Sequence, residues 1–247
     1  MSETLLLALG FVVVAAIYSS VGHAGASGYL ATMALVGVAP ERMKPTALLL
    51  NIVVGLIAVV NFRRAGVFFP RAVLPFAVGS IPMAFLGGAY HPASSWYRPL
   101  VAVVLAFAAV RLFIPRAKVA GTDASAEPYA PWLAAVPMGA CIGLLAGLTG
   151  TGGGIFLTPL LVWLGWAGVR QSAGISALFI LVNSVAGLAG NATIQPALTP
   201  ETAVLALAAG VGGFVGSWLG ANRIPERPLA ILLGVVLLIA SAKLAFS

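Results

Sequence analysis

Charge is what this sequence has least of. Of its 247 residues, 13 are Lys or Arg and 6 are Asp or Glu, 8% in all, where an ordinary soluble domain carries about 25%. Hydrophobic residues make up 61%, and mean hydropathy is +1.07. A soluble fold has too little polar surface left to cover itself at that composition, so the chain reads as an integral membrane protein. Cysteine is nearly absent as well. Cys141 stands alone, which excludes an intrachain disulfide framework and a thiolate metal cluster. It lies in an apolar run and is expected to be an inert core residue.

The net charge of +7 does not point to nucleic acid. Lys and Arg fall between long apolar runs rather than along one stripe, as a topology signal does. The chain opens Met-Ser-Glu without a basic n-region, and the first apolar run is read as a retained span rather than a signal peptide.

Acids are missing where they would matter. Glu3, Glu41, Asp123, Glu127, Glu201 and Glu226 all lie at the ends of apolar segments or between them. That argues against sodium or proton symport built on a buried carboxylate, and against a divalent-cation site. Paired carboxylates for hydrolysis and the Asp of a Ser-His-Asp triad are also missing. No enzyme activity, cofactor or metal is expected.

What is present is a series of apolar segments, where a spanning helix needs about 20 residues. They run over 4–18, 29–38, 46–61, 72–88, 99–113, 131–148, 155–166, 172–190, 202–220 and 228–245. Two are too short to cross alone, 29–38 and 155–166. Each follows a break rich in Gly, Ser or Thr, at 19–28 and at 148–154.

The hydrophilic stretch 116–130 falls at mid-chain and prompts a search for a repeat. Three matches occur in the same order. The two breaks correspond, residues 78–87 resemble 211–220, and Tyr97-Arg98-Pro99-Leu100 resembles Glu226-Arg227-Pro228-Leu229. The expected fold class is therefore an all-α polytopic membrane protein of two repeats, 1–115 and 131–247, joined by a cytoplasmic linker at 116–130. Each repeat has about five segments and opens on a broken or re-entrant Gly-rich helix pair. Arg63, Arg64 and Arg71 follow the third segment of the first half, and no basic residue occupies the matching loop of the second. An odd number of segments per half and basic loops that change sides both predict inverted topology. Arg42 and Lys44 fit this scheme poorly, since it puts them outside.

Irregular backbone at membrane depth must be buried in protein or line a watery cavity, and inverted-repeat transporters bind substrate between broken helices. A helix starting after each break would point N–H groups and its positive dipole end at that place, which suits an anion. The candidate substrate-binding residues are Ser20, Gly22, His23, Gly25 and Ser27 in the first break and Thr149, Thr151, Gly152, Gly153 and Gly154 in the second. Asn51, Ser176 and Asn183 join them from long segments. Each has a plainer alternative. The glycines could serve only close packing, His23 could cap a helix, and the amides could bind neighbouring helices. Ser176 and Ser184 are weaker candidates, because a serine can bond its own helix. Thr46, after Pro45, reads as a helix-start residue.

Gly212, Gly216 and Gly220 form a small-residue ladder expected to serve helix contact. The tryptophans, with Tyr18, Tyr90, Tyr97 and Tyr129, read as interfacial belts. His91 reads as a solvated interface residue.

The run from Leu145 to Gly154, Leu-Ala-Gly-Leu-Thr-Gly-Thr-Gly-Gly-Gly, is followed by Leu157-Thr158-Pro159-Leu160-Leu161. It resembles the signature of the TauE/SafE family of sulfite exporter-type permeases. Gly174-Ile175-Ser176-Ala177 resembles that family's Gly-Thr-Ser segment, with Ile175 where Thr is usual. In the first half the glycine run is diluted to Val21-Gly22-His23-Ala24-Gly25-Ala26-Ser27-Gly28. The resemblance implies export of a small sulfur oxyanion, such as sulfite or an organosulfonate, across a bacterial plasma membrane. The expected partners are a small anion and the lipid bilayer, with no nucleic acid; self-association is left open.

Overall fold

The computed structural model describes residues 3–90, 94–113, 128–192, 200–222, 238, 241 and 242. They form helices, with no strand among them. In chain order these are α1 (Glu3–Ser20), α2 (Ala26–Val36), α3 (Pro40–Arg64), α4 (Pro70–Ala89) and α5 (Ser94–Phe113). After the mid-chain stretch come α6 (Trp132–Thr149), α7 (Gly154–Trp163), α8 (Val169–Ala192) and α9 (Pro200–Asn222). The segment expected at 228–245, apart from residues 238, 241 and 242, the linker up to residue 127, and His91 lie outside the described residues.

Helix starts and stops follow local chemistry. Pro40 and Pro70 sit in the first turns of α3 and α4, where a missing N–H costs nothing. Gly37 ends α2 with φ at 89°, the left-handed cap glycine adopts without a Cβ penalty. Among the described residues, five helices, within α3, α4, α6, α8 and α9, are long and apolar enough to cross a membrane. With 25 residues, α3 extends about 37 Å at 1.5 Å per residue. At 11 and 10 residues, α2 and α7 reach only about 15–17 Å and cannot cross alone.

The bundle exposes apolar side chains and buries its small polar ones within an apolar core. Leu9, Val13, Leu56, Leu133, Leu207 and Val211 are more than half exposed. Ser19, Asn51, Ser80, Thr149, Ser176, Asn183, Ser184 and Ser217 are completely or almost completely buried. Water would reverse that order, whereas lipid favours it. The chain is a multi-pass integral membrane protein.

Packing is dominated by pairs drawn from opposite parts of the sequence. The most extensive contacts are α4 with α6 and α1 with α9. Both are glycine-mediated and both run parallel. A Cβ on Gly139, Gly143 or Gly147 would strike the Phe76, Ser80 or Ala84 carbonyl in turn. A Cβ on Gly212, Gly216 or Gly220 would strike the carbonyl of Val12, Ala16 or Ser20. The ladder on α9 therefore serves helix contact, as expected. At the centre α3 crosses α8 in the antiparallel sense, with Gly55 against Leu181, Asn51 against Ser184 and Leu48 against Gly187. One apolar cluster surrounds α1 and α2, and a second surrounds α6 and α7.

Four expectations change. Cys141 is exposed, on the lipid-facing side of α6 rather than in a core. Tyr18 and Tyr97 are buried, because their hydroxyls find partners inside the bundle. Thr46 lies inside α3, since the helix begins six residues earlier, at Pro40, and continues through Pro45. Lys44 is no loop residue; it is buried one turn into α3. Arg42 pairs with Glu201 at 2.8 Å, tying the start of α3 to the start of α9. Trp96, Trp132, Trp218, Tyr90 and Tyr129 are half or more exposed, as belt residues are.

Candidate functional site

The chain turns sharply where α1 gives way to α2. The Tyr18 carbonyl accepts from the N–H groups of Val21 and His23, and the Ser19 carbonyl from Gly22. Gly25 then caps α2 with φ at 105°. Nothing larger fits at Gly22, where a Cβ would run into the backbone of Ala173 on α8. The turn after α6 is built alike. Gly150, Gly152 and Gly153 all have positive φ, and the Gly153 carbonyl accepts from Phe156 and Leu157 at the start of α7.

These two turns meet. His23 Nε2 lies 3.1 Å from the Gly154 carbonyl oxygen and 3.2 Å from Thr158 Oγ1. A carbonyl only accepts, so Nε2 carries the hydrogen when that bond forms. Thr158 Oγ1 lies 2.7 Å from Ser176 Oγ. His23, Gly154 and Ser176 thus form one cluster, completed by Thr158, which the sequence reading did not single out. Four positions after Gly154 puts Thr158 on the same face of α7, and that was the available signal.

A second polar group stands at the crossing of α3 and α8. Asn51 Nδ2 donates to Ser184 Oγ at 3.3 Å. Gly152 is wedged against both. A Cβ there would lie 2.7 Å from Asn51 Nδ2 and 3.0 Å from Ser184 Oγ, and φ at +72° is strained for any other residue. Gly153 is wedged against Ile142 and Phe179 instead.

The remaining candidates have local partners. Thr149 Oγ1 donates to the Leu145 carbonyl at 2.7 Å and lies 3.0 Å from Thr151 Oγ1. Tyr97 donates from α5 to the Thr149 carbonyl at 3.2 Å. Ser20 bonds Ile17 of its own helix, and Ser27 bonds the Tyr18 hydroxyl at 2.9 Å. No hydrogen bond joins Ser20, Ser27 or Gly25 to the His23 cluster directly. Asn183 Nδ2 donates to the Phe179 carbonyl at 2.9 Å.

Three completely buried polar atoms near these groups have no hydrogen-bond partner: Asn51 Oδ1, Asn183 Oδ1 and Ser19 Oγ. Each such atom costs about 1–3 kcal/mol. The partner of Asn183 Nδ2 is a carbonyl, which fixes that amide's orientation. No group of three or more His, Cys, Asp or Glu residues suited to a metal occurs among the described residues. A separate cavity of about 270 Å³ opens among Leu7, Met33, Thr46, Arg42, Glu201 and Leu205, and no residue of the His23 cluster lines it.

Residues 6–244 match the model of a family described as sulfite exporter TauE/SafE. A protein of Sinorhizobium fredii (strain NBRC 101917 / NGR234) described as "Probable membrane transporter protein y4hK" is 35% identical over 243 residues. That alignment covers 98% of this chain and 98% of the relative. No solved structure matches the chain.

Proposed function

The chain belongs to the TauE/SafE sulfite exporter family, and from that premise we propose that it exports a small sulfur-containing oxyanion, sulfite or an organosulfonate. It does so as a secondary transporter of a bacterial inner membrane, with the anion held between the two glycine-flanked turns. The observation that carries this reading is the meeting of His23 with Gly154, Thr158 and Ser176. Residues from the α1–α2 turn, α7 and α8 converge there; Gly154 brings a carbonyl that accepts, and His23, Thr158 and Ser176 bring groups able to donate. Oxyanions are bound by donors of this kind. Moving one negative charge out of a cell with a negative interior is downhill by about 2.3 kcal/mol per 100 mV, so export needs no coupled cation.

The mechanism proposed is alternating access of two inverted halves, 1–115 and 131–247. Support comes from the exchange of partners. The helix pairs α4–α6 and α1–α9 exchange places when the halves are interchanged, and both run parallel through glycine ladders. Interchange also maps α3 onto α8, and these two cross antiparallel, as equivalents related by an axis in the membrane plane must.

Counterflow in proteoliposomes tests the reading. Vesicles loaded with unlabelled sulfite should accelerate uptake of labelled sulfite, and an organosulfonate in the lumen should do the same if it shares the site. Flux indifferent to lumenal substrate would make the protein a passive channel. No flux of any oxyanion would remove the substrate class.

A further inference from the structure

We propose that Lys44 supplies the positive charge that draws an oxyanion into one end of the path through this bundle. The proposal rests on the anion reading above and adds to it a residue that no motif contains.

Lys44 lies one turn into α3 and is 4% exposed. Its ammonium donates to the carbonyls of Gly88 at 2.9 Å and Tyr90 at 2.8 Å, at the C-terminal end of α4. An ammonium has three donors, and these carbonyls engage two. Among the described residues the ion pair present is Arg42 with Glu201, and no carboxylate meets Lys44. A buried charge is costly unless an opposite charge is supplied. The dipole end of α4 offsets part of that cost. Capping carbonyls, however, requires N–H donors and no full charge.

The placement gives the charge a use. Residue 44 abuts the second turn: a Cβ on Gly150 would lie 3.1 Å from the Lys44 carbonyl oxygen and 3.3 Å from its Cγ. Gly150 separates Thr149 from Thr151, whose hydroxyls meet at 3.0 Å. Asn51 stands seven residues on, on the same face of α3 and about 10 Å along its axis, against Gly152 and Ser184. Beyond it come Gly154, His23, Thr158 and Ser176. Polar groups therefore follow one another from Lys44 to Ser176 through an apolar core. The residue that abuts Gly22 at the first turn is Ala173, which has no charge to offer. The two ends of the path differ: the buried cation stands where α3 begins and α4 stops, whereas Arg63, Arg64, Arg71 and Arg170 at the other end are exposed.

Lys44→Gln separates the two roles, because an amide still donates to carbonyls but has no charge. Lys44→Arg keeps the charge. Sulfite transport in proteoliposomes should show KM raised about tenfold or more in the Gln variant, and held within about threefold of the parent in the Arg variant. A Gln variant with the parent's KM would overturn the proposal and leave the anion reading intact. Failure of the parent to carry any oxyanion would overturn both. If Lys44→Gln and Lys44→Met both fail to fold while Lys44→Arg folds with an altered KM, the residue serves the α4 cap and the proposal falls.

Discussion

The His23 ring and the Gly154 carbonyl, 131 residues apart in the chain, are joined by a contact of 3.1 Å. It links the turn after α1 to the turn after α6, so neither turn shifts without breaking or carrying that bond. In an alternating-access cycle the contact is a candidate latch. His23→Ala removes it together with the Thr158 contact and should lower sulfite flux by about tenfold or more. One such bond contributes about 1 kcal/mol, so the melting temperature should fall by only a few degrees. His23→Gln keeps a donor and should retain more flux than Ala. Equal flux in all three proteins would reduce the ring to packing.

Two glycines with similar backbone conformations separate strain from site chemistry. Gly152 and Gly37 both have positive φ, so alanine at either costs about 1–2 kcal/mol. A Cβ at Gly37 meets nothing within 4 Å, whereas at Gly152 it lies 2.7 Å from Asn51 Nδ2. Both variants should therefore lose several degrees of thermal stability in detergent. Gly37→Ala should still transport, and Gly152→Ala should not. Loss of flux in both would mean that strain alone had been measured.

The glycine ladders predict matched damage at two helix pairs. Gly143 packs on the Ser80 carbonyl and Gly216 on the Ala16 carbonyl. Leucine at either forces helices apart whose contact depends on close backbone approach. Both substitutions should lower the yield of monodisperse protein severely and to a similar degree. A large difference between them on size-exclusion chromatography would contradict equivalent roles for α4–α6 and α1–α9.

The sequence made membrane insertion, helical class and nearly every segment legible, because a continuous apolar run is a strong signal in lipid. Both short helices were legible too, since glycine and hydroxyl residues interrupt the apolar run before each. Contacts across the bundle were not. Thr158 looked like part of an apolar stretch, and only folding brings it to His23 and Ser176. Lys44 registered as a misfit to the charge rule, because a loop cation and a buried one look alike in a sequence. Tyr97 seemed a belt residue, yet its hydroxyl reaches the Thr149 carbonyl.

Inverted topology has a direct test. Gly66 lies between α3 and α4, and the exposed Glu201 stands in the first turn of α9, which starts at Pro200 after α8. If the halves are inverted repeats, the two positions flank equivalent connections. Single cysteines at the two positions, in a Cys141→Ala background, should react with an impermeant maleimide from opposite sides of the membrane. Labelling of both from one side would rule out the inverted arrangement, whatever the helix contacts suggest.

Asn183 offers the clearest separation of stability from function. Its amide nitrogen is satisfied by the Phe179 carbonyl of its own helix, and its buried Oδ1 has no partner. Replacing a half-satisfied buried polar group with an apolar side chain of similar size is often neutral or stabilising. Asn183→Leu should therefore melt at the parent's temperature or a few degrees above it. If the free oxygen accepts a hydrogen bond from a protonated substrate or its water, the same variant should lose most of its flux. Bisulfite and hydroxylated sulfonates, which can donate, should suffer more than a fully ionised sulfonate that only accepts. A variant that is both less stable and equally active would make Asn183 a packing residue, and its unpartnered oxygen a feature of the helix rather than of the site.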